Sequence, residues 1–166
     1  MIAVVGHADL TPGALTLVEE ALSVRLARYA GAGRMGLVRV GQGLPVAVAR
    51  AAKKAGLALV TAVPTLHQVP ALLREGDRSA AGELLMLSQH VRLIEYDPLN
   101  HASCVRADEG MLRTCGRVLA VWDGSASTGH DATAHLVAYA RRHGIKVEVL
   151  WPKGGGRSPA AVEELS

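Results

Sequence analysis

Short apolar runs alternate with longer stretches in which apolar residues recur every three or four positions. The short runs predict strands and the longer stretches predict helices. Six strands are predicted: "IAVVG" at 2–6, "GLVRV" at 36–40, "LALVTAV" at 57–63, "VRLIEY" at 91–96, "RVLAVW" at 117–122 and "KVEVLW" at 146–151. Because parallel neighbours need a crossover that a helix supplies, we predict a three-layer, doubly wound α/β domain. Its mostly parallel sheet should have six strands, or seven if the long third connection adds one.

Capping residues mark where several of the helices begin and end. Thr11 suits the N-cap of the first helix and Pro12 its first turn. Pro45 opens the second helix, which ends at Gly56. Residues 64–79 contain two prolines and several charges, and they predict a loop or a broken helix. Further helices are expected at 80–90, 102–115 and 131–143.

The length of 166 residues fits one domain, which we place at 1–152, followed by a tail at 153–166. The tail begins with a glycine-rich stretch that should be flexible, although Ser158 and Pro159 could cap a short last helix.

Composition narrows the possible partners. Hydrophobic residues make up 49% of the chain and charged residues 20%, which fits a packed core. Aromatic residues make up only 3%, with no Phe, so the stacking surfaces of single-stranded nucleic-acid binding are lacking. The net charge of +3 is accompanied by scattered rather than clustered arginines, so nucleic-acid binding is not expected.

No apolar stretch approaches the ~20 residues of a membrane span, and the first strand begins without the basic segment of a signal peptide. We therefore expect a cytoplasmic protein with no membrane partner. If the stretch between Cys104 and Cys115 is helical, the two residues lie about 16 Å apart along its axis. Because that distance exceeds disulfide reach, both cysteines are predicted to be reduced and buried.

Small residues follow three of the predicted strands. They are Gly6 and His7 after the first strand, 41–43 after the second, and Asp123 and Gly124 after the fifth. In a doubly wound sheet the carboxyl ends of parallel strands meet at one edge, and ligands bind beyond that edge where the winding reverses. Three such turns at one edge predict a ligand site.

The segment 124–130 connects the fifth strand to a helix through side chains that are nearly all small. Unpaired N–H groups and the positive dipole end at a helix N-terminus favour an anion, which predicts a phosphate here. The alternative is a plain turn whose hydroxyls cap the helix. The predicted ligand-binding and phosphate-binding residues at the sheet edge are Gly6, His7, Gly41, Gln42, Gly43, Asp123, Gly124, Ser125, Ser127, Thr128, Gly129, His130 and Thr133.

Two other kinds of site are disfavoured. Gly41 and Gly43 resemble the start of a dinucleotide fingerprint, but Val46 stands where its third glycine would be, so a mononucleotide or no nucleotide is preferred. His130 and His135 are about 140° apart around a helix and do not share a face. No metal and no additional cofactor are therefore expected.

Two acidic residues are candidates for chemistry. Asp123 follows a strand and could accept hydrogen bonds from ribose hydroxyls, or it could cap its loop. Glu109 falls in a predicted helix, on a solvated face or pointing back toward the sheet edge. Both alternatives remain open at this point.

Several segments together resemble the SLOG superfamily. They are "VVGHADLTP" at the start, the glycine-rich turn at 41–43, "ADEGML" at 107–112 and "AVWDGSASTGHDATAHLVAYARRHGIKVEVLWP" from Ala120. The superfamily comprises Rossmann-like nucleotide-binding domains, among them the lonely-guy phosphoribohydrolases and the DNA-processing protein A group. Within it, the chain resembles a branch of small actinobacterial proteins. The resemblance spans 1–152 and implies a Rossmann-like fold, a nucleotide-like small-molecule ligand and a homodimer. The apolar segment 82–90 could form the dimer interface or cover the sheet.

The resemblance also bears on catalysis. In the lonely-guy enzymes the matching segment is Pro-Gly-Gly-x-Gly-Thr-x-x-Glu, and its Glu acts in cleaving an N-glycosidic bond. With Thr133 on the motif Thr, Leu136 stands at the Glu position, and Asp108 falls near the family's catalytic Arg. We therefore expect a binding protein without this catalytic pair. The alternative is a hydrolase or transferase at the N-glycosidic bond of a nucleoside 5′-monophosphate that uses Asp123 or Glu109 as a displaced acid.

Overall fold

The computed structural model describes residues 1–31 and 33–159, in which strands and helices alternate along the chain. The strands are β1 (Ile2–Gly6), β2 (Met35–Arg39), β3 (Ala58–Leu66), β4 (Val69–Pro70), β5 (His90–Glu95), β6 (Arg117–Val121) and β7 (Lys146–Leu150). The helices are α1 (Pro12–Ala27), α2 (Leu44–Ala55), α3 (Glu75–Leu87), α4 (His101–Leu112) and α5 (Thr133–Arg142).

Six strands form a parallel sheet in the order β5-β3-β2-β1-β6-β7, and the short β4 pairs antiparallel with the end of β3. From β1 the chain winds outward through β2 and β3 to β5, and then it returns to the other side of β1 with β6 and β7. The winding therefore reverses between β1 and β6, where Gly6 is paired with Val121. The predicted doubly wound, mostly parallel α/β fold is confirmed, with the seventh strand in the long third connection.

The two faces of the sheet carry separate apolar clusters because successive strand residues point to opposite faces. On one face, Val4 and Leu59 belong to a cluster with side chains of α1, α2 and α3. On the other face, Val5 and Val60 belong to a cluster with side chains of α4 and α5. These strands are parallel as well as buried on both faces, so their carboxyl ends lie at the same edge of the sheet. The predicted site lies at this edge.

The predicted helix caps are confirmed. The Thr11 hydroxyl accepts a hydrogen bond from the Ala14 N–H at 3.2 Å, and Pro12 occupies the first turn of α1. At the end of α2, Gly56 adopts a left-handed conformation with φ of 74°, which glycine allows without the penalty of a Cβ atom.

The prediction of a loop or a broken helix at 64–79 was correct only for the turn at 67–68 and the loop at 71–74. β3 continues to Leu66, beyond the point where β2 ends. Pro64 has no N–H, but because β2 does not reach it, no hydrogen bond to β2 is lost. His67 and Gln68, with φ of 51° and 67°, form the tight turn into β4 without the glycine or asparagine that usually marks such a turn. α3 then begins at Glu75.

The tail also differs from its prediction. Its first residues were expected to be flexible, but the Thr11 N–H donates to the Gly156 carbonyl oxygen at 3.1 Å, and the Ser158 N–H donates to the Asp9 carbonyl oxygen at 2.7 Å. Residues 156–158 are therefore attached to the connection between β1 and α1. The short helix predicted after Ser158 and Pro159 lies outside the described residues.

Candidate functional site

A cleft opens at the carboxyl ends of β1 and β2, beside the first turn of α2. Its main cavity has a volume of about 280 Å³, and a smaller cavity of about 90 Å³ adjoins it. Both cavities are lined by Gly6, Ala8, Arg39, Asp108 and Leu136. We call the two cavities together the switch-point cleft, because they lie at the end of β1, next to the point where the winding reverses and where ligands bind in such sheets.

The structure brings only some of the predicted ligand residues to the switch-point cleft. Those that line it are Gly6, His7, Gly41, Gln42, His130 and Thr133. Ser127 and Thr128 line a separate surface groove between α4 and α5 together with Glu109. Asp123 and Ser125 instead contact the tail through Arg157. Ten of the 13 predicted residues thus divide among three surfaces, whereas Gly43, Gly124 and Gly129 line neither the cleft nor the groove.

Two of the predicted glycines are required by the backbone itself. A Cβ atom on Gly6 would lie 2.6 Å from the Val121 carbonyl oxygen and 2.7 Å from Leu44 Cδ2. Gly43 has a left-handed φ of 75° and is the N-cap of α2. These glycines allow α2 to begin close to the end of β1, so its first turn borders the cleft.

The N-terminus of α2 is open to an acceptor. Gly43 has no side chain to cap the helix, and Pro45 has no N–H. Among the described residues, no side chain accepts a hydrogen bond from the N–H of Leu44 or Val46. Because unpaired N–H groups and the helix dipole favour negative charge, this end of the cleft is electrostatically suited to an anion.

The N-terminus of α5, which follows the predicted phosphate segment, has internal partners instead. The Thr133 N–H donates to Asp131 Oδ1 and the His135 N–H donates to Ser127 Oγ, both at 2.9 Å. The Thr128 hydroxyl accepts from the N–H groups of His130 and Asp131. These contacts match the helix-capping alternative for 124–130. A phosphate at this segment stays a prediction.

His7 lies beneath a cluster of carboxylates and is only 1% exposed. Its Nδ1 is 2.6 Å from Asp131 Oδ2 and its Nε2 is 3.0 Å from Asp123 Oδ1. Because both ring nitrogens already face carboxylates, His7 ties the end of β1 to the connection between β6 and α5. The His7 ring therefore lines the cleft without offering a free hydrogen-bond donor to a ligand.

Arg157 of the tail completes this cluster. Its Nε is 2.8 Å from Asp9 Oδ1, its Nη2 is 3.2 Å from Asp131 Oδ2, and its Nη1 is 3.5 Å from Asp123 Oδ2. His7, Asp9 and Asp131 bring three possible metal-ligand atoms within 4.8 Å of one another. The Arg157 guanidinium already contacts all three carboxylates, so the geometry is that of an ion-pair network linking three separate segments.

Hydrogen bonding lowers the pKa values of two of the carboxyls. Burial raises the pKa of Asp131, but hydrogen bonds from His7 and the Thr133 N–H outweigh burial and bring that pKa to about 2, from 3.8. Burial likewise raises the pKa of Asp123, and hydrogen bonds from the Ser125 hydroxyl and N–H, together with His7, bring it well below its usual range. Both groups are therefore carboxylates at neutral pH.

The low pKa of Asp131 predicts a pH dependence of stability. A carboxyl whose pKa falls on folding stabilises the fold above its unfolded pKa, and this contribution is lost as the pH falls through the folded pKa. The loss should therefore occur from pH 3.8 down to about 2. Urea unfolding across this range should show a shallower decline for Asp131→Asn than for the wild type. Equal declines for the two proteins would contradict the ion-pair network.

The partly buried Arg39 and the buried Asp108 form an ion pair on the floor of the cleft. Arg39 Nε lies 2.8 Å from Asp108 Oδ1, and Nη2 lies 3.4 Å from Oδ2. Burial raises the pKa of the Asp108 carboxyl, although the Arg39 charge opposes this rise. Burial disfavours the charged guanidinium of Arg39, but the charge of Asp108 outweighs this effect and raises the pKa of Arg39. The attraction between the two charges holds the pair together. Removal of either residue would leave the other without its counter-charge.

The remaining face of the Arg39 guanidinium is the part of the site that sequence reasoning missed. Among the described residues, Nη1 has no hydrogen-bond acceptor, and Tyr96 lies alongside with its ring centre 5.7 Å from Arg39 Cζ. One signal in the sequence could have identified it. Arg39 is the only charged residue in the apolar run 36–40, and this run ends directly before Gly41.

The two acidic candidates for catalysis do not share a surface. The Glu109 carboxylate is 3.5 Å from His135 Nε2 in the groove between α4 and α5. Asp123 belongs to the network of His7 and Arg157. Asp108 and Leu136, which stand where the resemblance places a catalytic Arg and Glu, do both line the switch-point cleft.

Comparisons with known proteins add no identification. No protein-family model matches the sequence, and no curated protein is similar to it at a significant level. Within the described residues, no helix has the length and apolar character that crossing a membrane requires.

Proposed function

We propose that the protein binds a phosphorylated, nucleotide-like small molecule in the switch-point cleft and does not cleave it. The observation that carries this proposal is that the open N-terminus of α2 and the Arg39 guanidinium border the same cavity. The proposal keeps the nucleotide-like ligand expected from the resemblance, and it moves the phosphate from the 124–130 segment to the turn at 41–43.

The phosphate subsite is supported by two kinds of donor. The N–H groups of Leu44 and Val46 and the dipole of α2 attract negative charge from one side. Arg39 lines the same cavity and has no acceptor for Nη1 among the described residues, while its contact with Asp108 holds the guanidinium in place. At the N-terminus of α5, by contrast, the N–H groups of Thr133 and His135 already have the acceptors Asp131 and Ser127.

The rest of the cleft suits a nucleoside. Leu44, Met111 and Leu136 give it an apolar wall against which a base can pack. Asp77, which accepts a hydrogen bond from the Gln42 N–H at 2.9 Å, places a carboxylate at the rim where ribose hydroxyls could donate to it. The volume of about 280 Å³ lies near the lower end of small-molecule sites, which favours a mononucleotide.

The absence of cleavage is inferred from what glycosidic hydrolysis requires. The reaction passes through a cation-like sugar centre and needs a carboxylate facing the anomeric carbon together with an activated water. Leu136 has no carboxylate, and Asp108 is bound to Arg39. Two other carboxylates line the cleft: Asp131 is bound to His7 and Arg157, and Asp77 accepts from the Gln42 N–H at the rim. The alternative acids, Asp123 and Glu109, contact His7 and His135 respectively, and neither lines the cleft. No observation favours the enzyme over the binding protein.

A thermal-shift screen tests the proposal. Nucleoside 5′-monophosphates, the matching nucleosides and inorganic phosphate should be compared, with assay of free base in the same samples. A mononucleotide at 100 times its dissociation constant should stabilise the fold by about 2.7 kcal/mol, without release of base. Failure of every phosphorylated nucleoside to raise the melting temperature would contradict binding, and release of base would favour the enzyme.

A charge-balanced variant pair makes this screen specific for the cleft. Arg39→Gln with Asp108→Asn removes the floor pair without leaving a buried charge alone, and it should abolish most of the mononucleotide shift. Arg50→Gln with Glu83→Gln removes the same type of pair from the surface, where Arg50 Nε binds Glu83 at 2.7 Å. That control should retain the wild-type shift. Equal shifts in both variants would place the ligand elsewhere.

A homodimer is also proposed. The segment 82–90, named as a possible interface, forms the second half of α3 and the turn into β5. Leu84 of this segment is fully buried under the helix and covers the sheet, so only the outer side of α3 is free to contact a second copy.

A further inference from the structure

The outer strand β5 differs from the inner strands of the sheet. Val91 and Leu93 are 52% and 64% exposed, and no residue of β5 is buried. Among the described residues β5 pairs with β3 alone. Parallel strands are normally covered on both faces, so β5 is an edge that the other described residues leave largely uncovered.

Within 1–31 and 33–159, the backbone of β5 also has no partner strand on its outer side. The Tyr96 N–H donates to the Thr65 carbonyl oxygen at 3.2 Å, so residues 92 and 94 also direct their backbone groups toward β3. Because backbone groups alternate in direction along a strand, the N–H and C=O groups of Val91 and Leu93 point away from the sheet. Such an edge is a template for pairing with another strand.

The outer side of α3 continues this surface. Glu83 binds Arg50 of α2, and successive helix residues are about 100° apart, so Leu85 lies on the side away from α2. Leu85 is 41% exposed, and it shares that side with Ala81 and Gly82, where another helix can approach closely. Leu93 is paired with Val63, which packs in the cluster beneath α3, so Leu93 stands on the face that α3 covers. We call Ala81, Gly82, Leu85, Val91 and Leu93 the β5–α3 edge.

The opposite edge of the sheet is better protected. In β7, Leu150 is buried, and Glu148 accepts hydrogen bonds from Arg25 and Tyr29 of the α1 region. Lys146 adds a charge, which is a common means of blocking strand pairing. β5 also carries the charged residues Arg92 and Glu95, so the edges differ in the exposure of their apolar side chains: Val91 and Leu93 are 52% and 64% exposed, against 41% for Val149 of β7.

We propose that this cover is the β5–α3 edge of a second copy of the chain. Antiparallel pairing of β5 with its counterpart about a two-fold axis gives each strand the same donors and acceptors, and it keeps the two α3 faces on one side. Val91 and Leu93 then meet the same residues of the partner on that side, and α3 packs against the partner's α3. Arg92 lies on the other face, where it binds the Thr114 hydroxyl, so it does not interrupt the apolar contact.

The size of this surface suits a dimer that dissociates on dilution. The six residues of β5 and the 13 residues of α3 each span about 20 Å. A strip one strand and one helix wide is small beside a standard interface, which buries about 800 Å² per partner, so a weak dimer is expected. The inference rests on the homodimer proposed above and names its surface, and it is independent of ligand binding in the cleft.

Sedimentation velocity of the full chain tests the assembly. The weight-average mass should rise from 17.4 kDa toward twice that value as concentration increases. Leu93→Lys should raise the dissociation constant of the dimer at least about tenfold, because a lysine at an edge blocks pairing. Val24→Lys, at a valine of α1 that is 63% exposed, is the matched control and should leave the constant unchanged. A monomer at all concentrations would overturn both the dimer and this edge.

Amide hydrogen exchange distinguishes strand pairing from other dimers. The N–H groups of Val91 and Leu93 should become protected as concentration rises. Trp122 N–H donates to the Leu150 carbonyl oxygen, so Val147 and Val149 point away from the sheet at its other edge and serve as matched controls. Their exchange should not depend on concentration. A dimer in which Val91 and Leu93 exchange as fast as these controls would retain the homodimer but overturn its β5–α3 edge.

Discussion

Replacing Asp108 with alanine is expected to lower the free energy of unfolding by about 3 kcal/mol. Asp108 is buried on α4, and it is the carboxylate that binds Arg39 through two nitrogens. Its loss leaves the Arg39 guanidinium partly buried without a counter-charge, which costs more than the contact itself contributes. Urea unfolding of both proteins at neutral pH measures the difference.

A surface pair provides the control for this prediction. Glu83 binds Arg50 with similar geometry, but both side chains are largely exposed. Glu83→Ala should therefore cost no more than about 1 kcal/mol. If Asp108→Ala cost as little as Glu83→Ala, then Arg39 would find solvent or another partner easily, and the rigid charged floor of the cleft would be contradicted.

Gly6→Ala is expected to be comparably destabilising, by about 3 kcal/mol. The added Cβ atom would lie 2.6 Å from a backbone oxygen of Val121, which cannot move without separating β1 from β6. Thermal and urea unfolding should both show the loss. The result would assign Gly6 to close packing at the switch point, whether or not a ligand contacts it.

The matched substitution is Gly13→Ala in α1, where an added Cβ meets no atom within 4 Å. Alanine there should stabilise the fold by about 0.5–1 kcal/mol, because it restricts the unfolded chain and favours the helix. A tolerated Gly6→Ala would show that β1 and α2 approach each other less closely than in this structure.

Local patterns were sufficient to predict most of the fold. Alternating apolar runs predicted all six parallel strands, and Thr11 and Gly56 marked helix ends because capping depends on residues close in sequence. The turn at His67 and Gln68 was missed because neither residue is of the type that usually adopts positive φ. Such a turn is imposed by the pairing of β3 with β4, which local sequence does not reveal.

The candidate site was predicted only in its location. Glycine-rich turns pointed to the correct edge of the sheet, since parallel strands end together. The partners within that edge come from distant segments: Arg39 binds Asp108, and Arg157 binds Asp9 across 148 residues of sequence. Charge pairing over such separations leaves no periodicity or spacing, so neither the buried pair nor the role of the tail could be predicted.

Chemical-shift mapping with the best mononucleotide from the screen tests the central claim most directly, because it locates the ligand. The account predicts the largest amide shifts at Ala8 and at 41–46, with smaller changes along α4 near Asp108. The same titration with the nucleoside alone should give weaker binding, because the subsite at α2 and Arg39 would be unfilled. Largest shifts at Ser127, Thr128 and His135, or at 124–130, with none at 41–46, would contradict binding in the switch-point cleft.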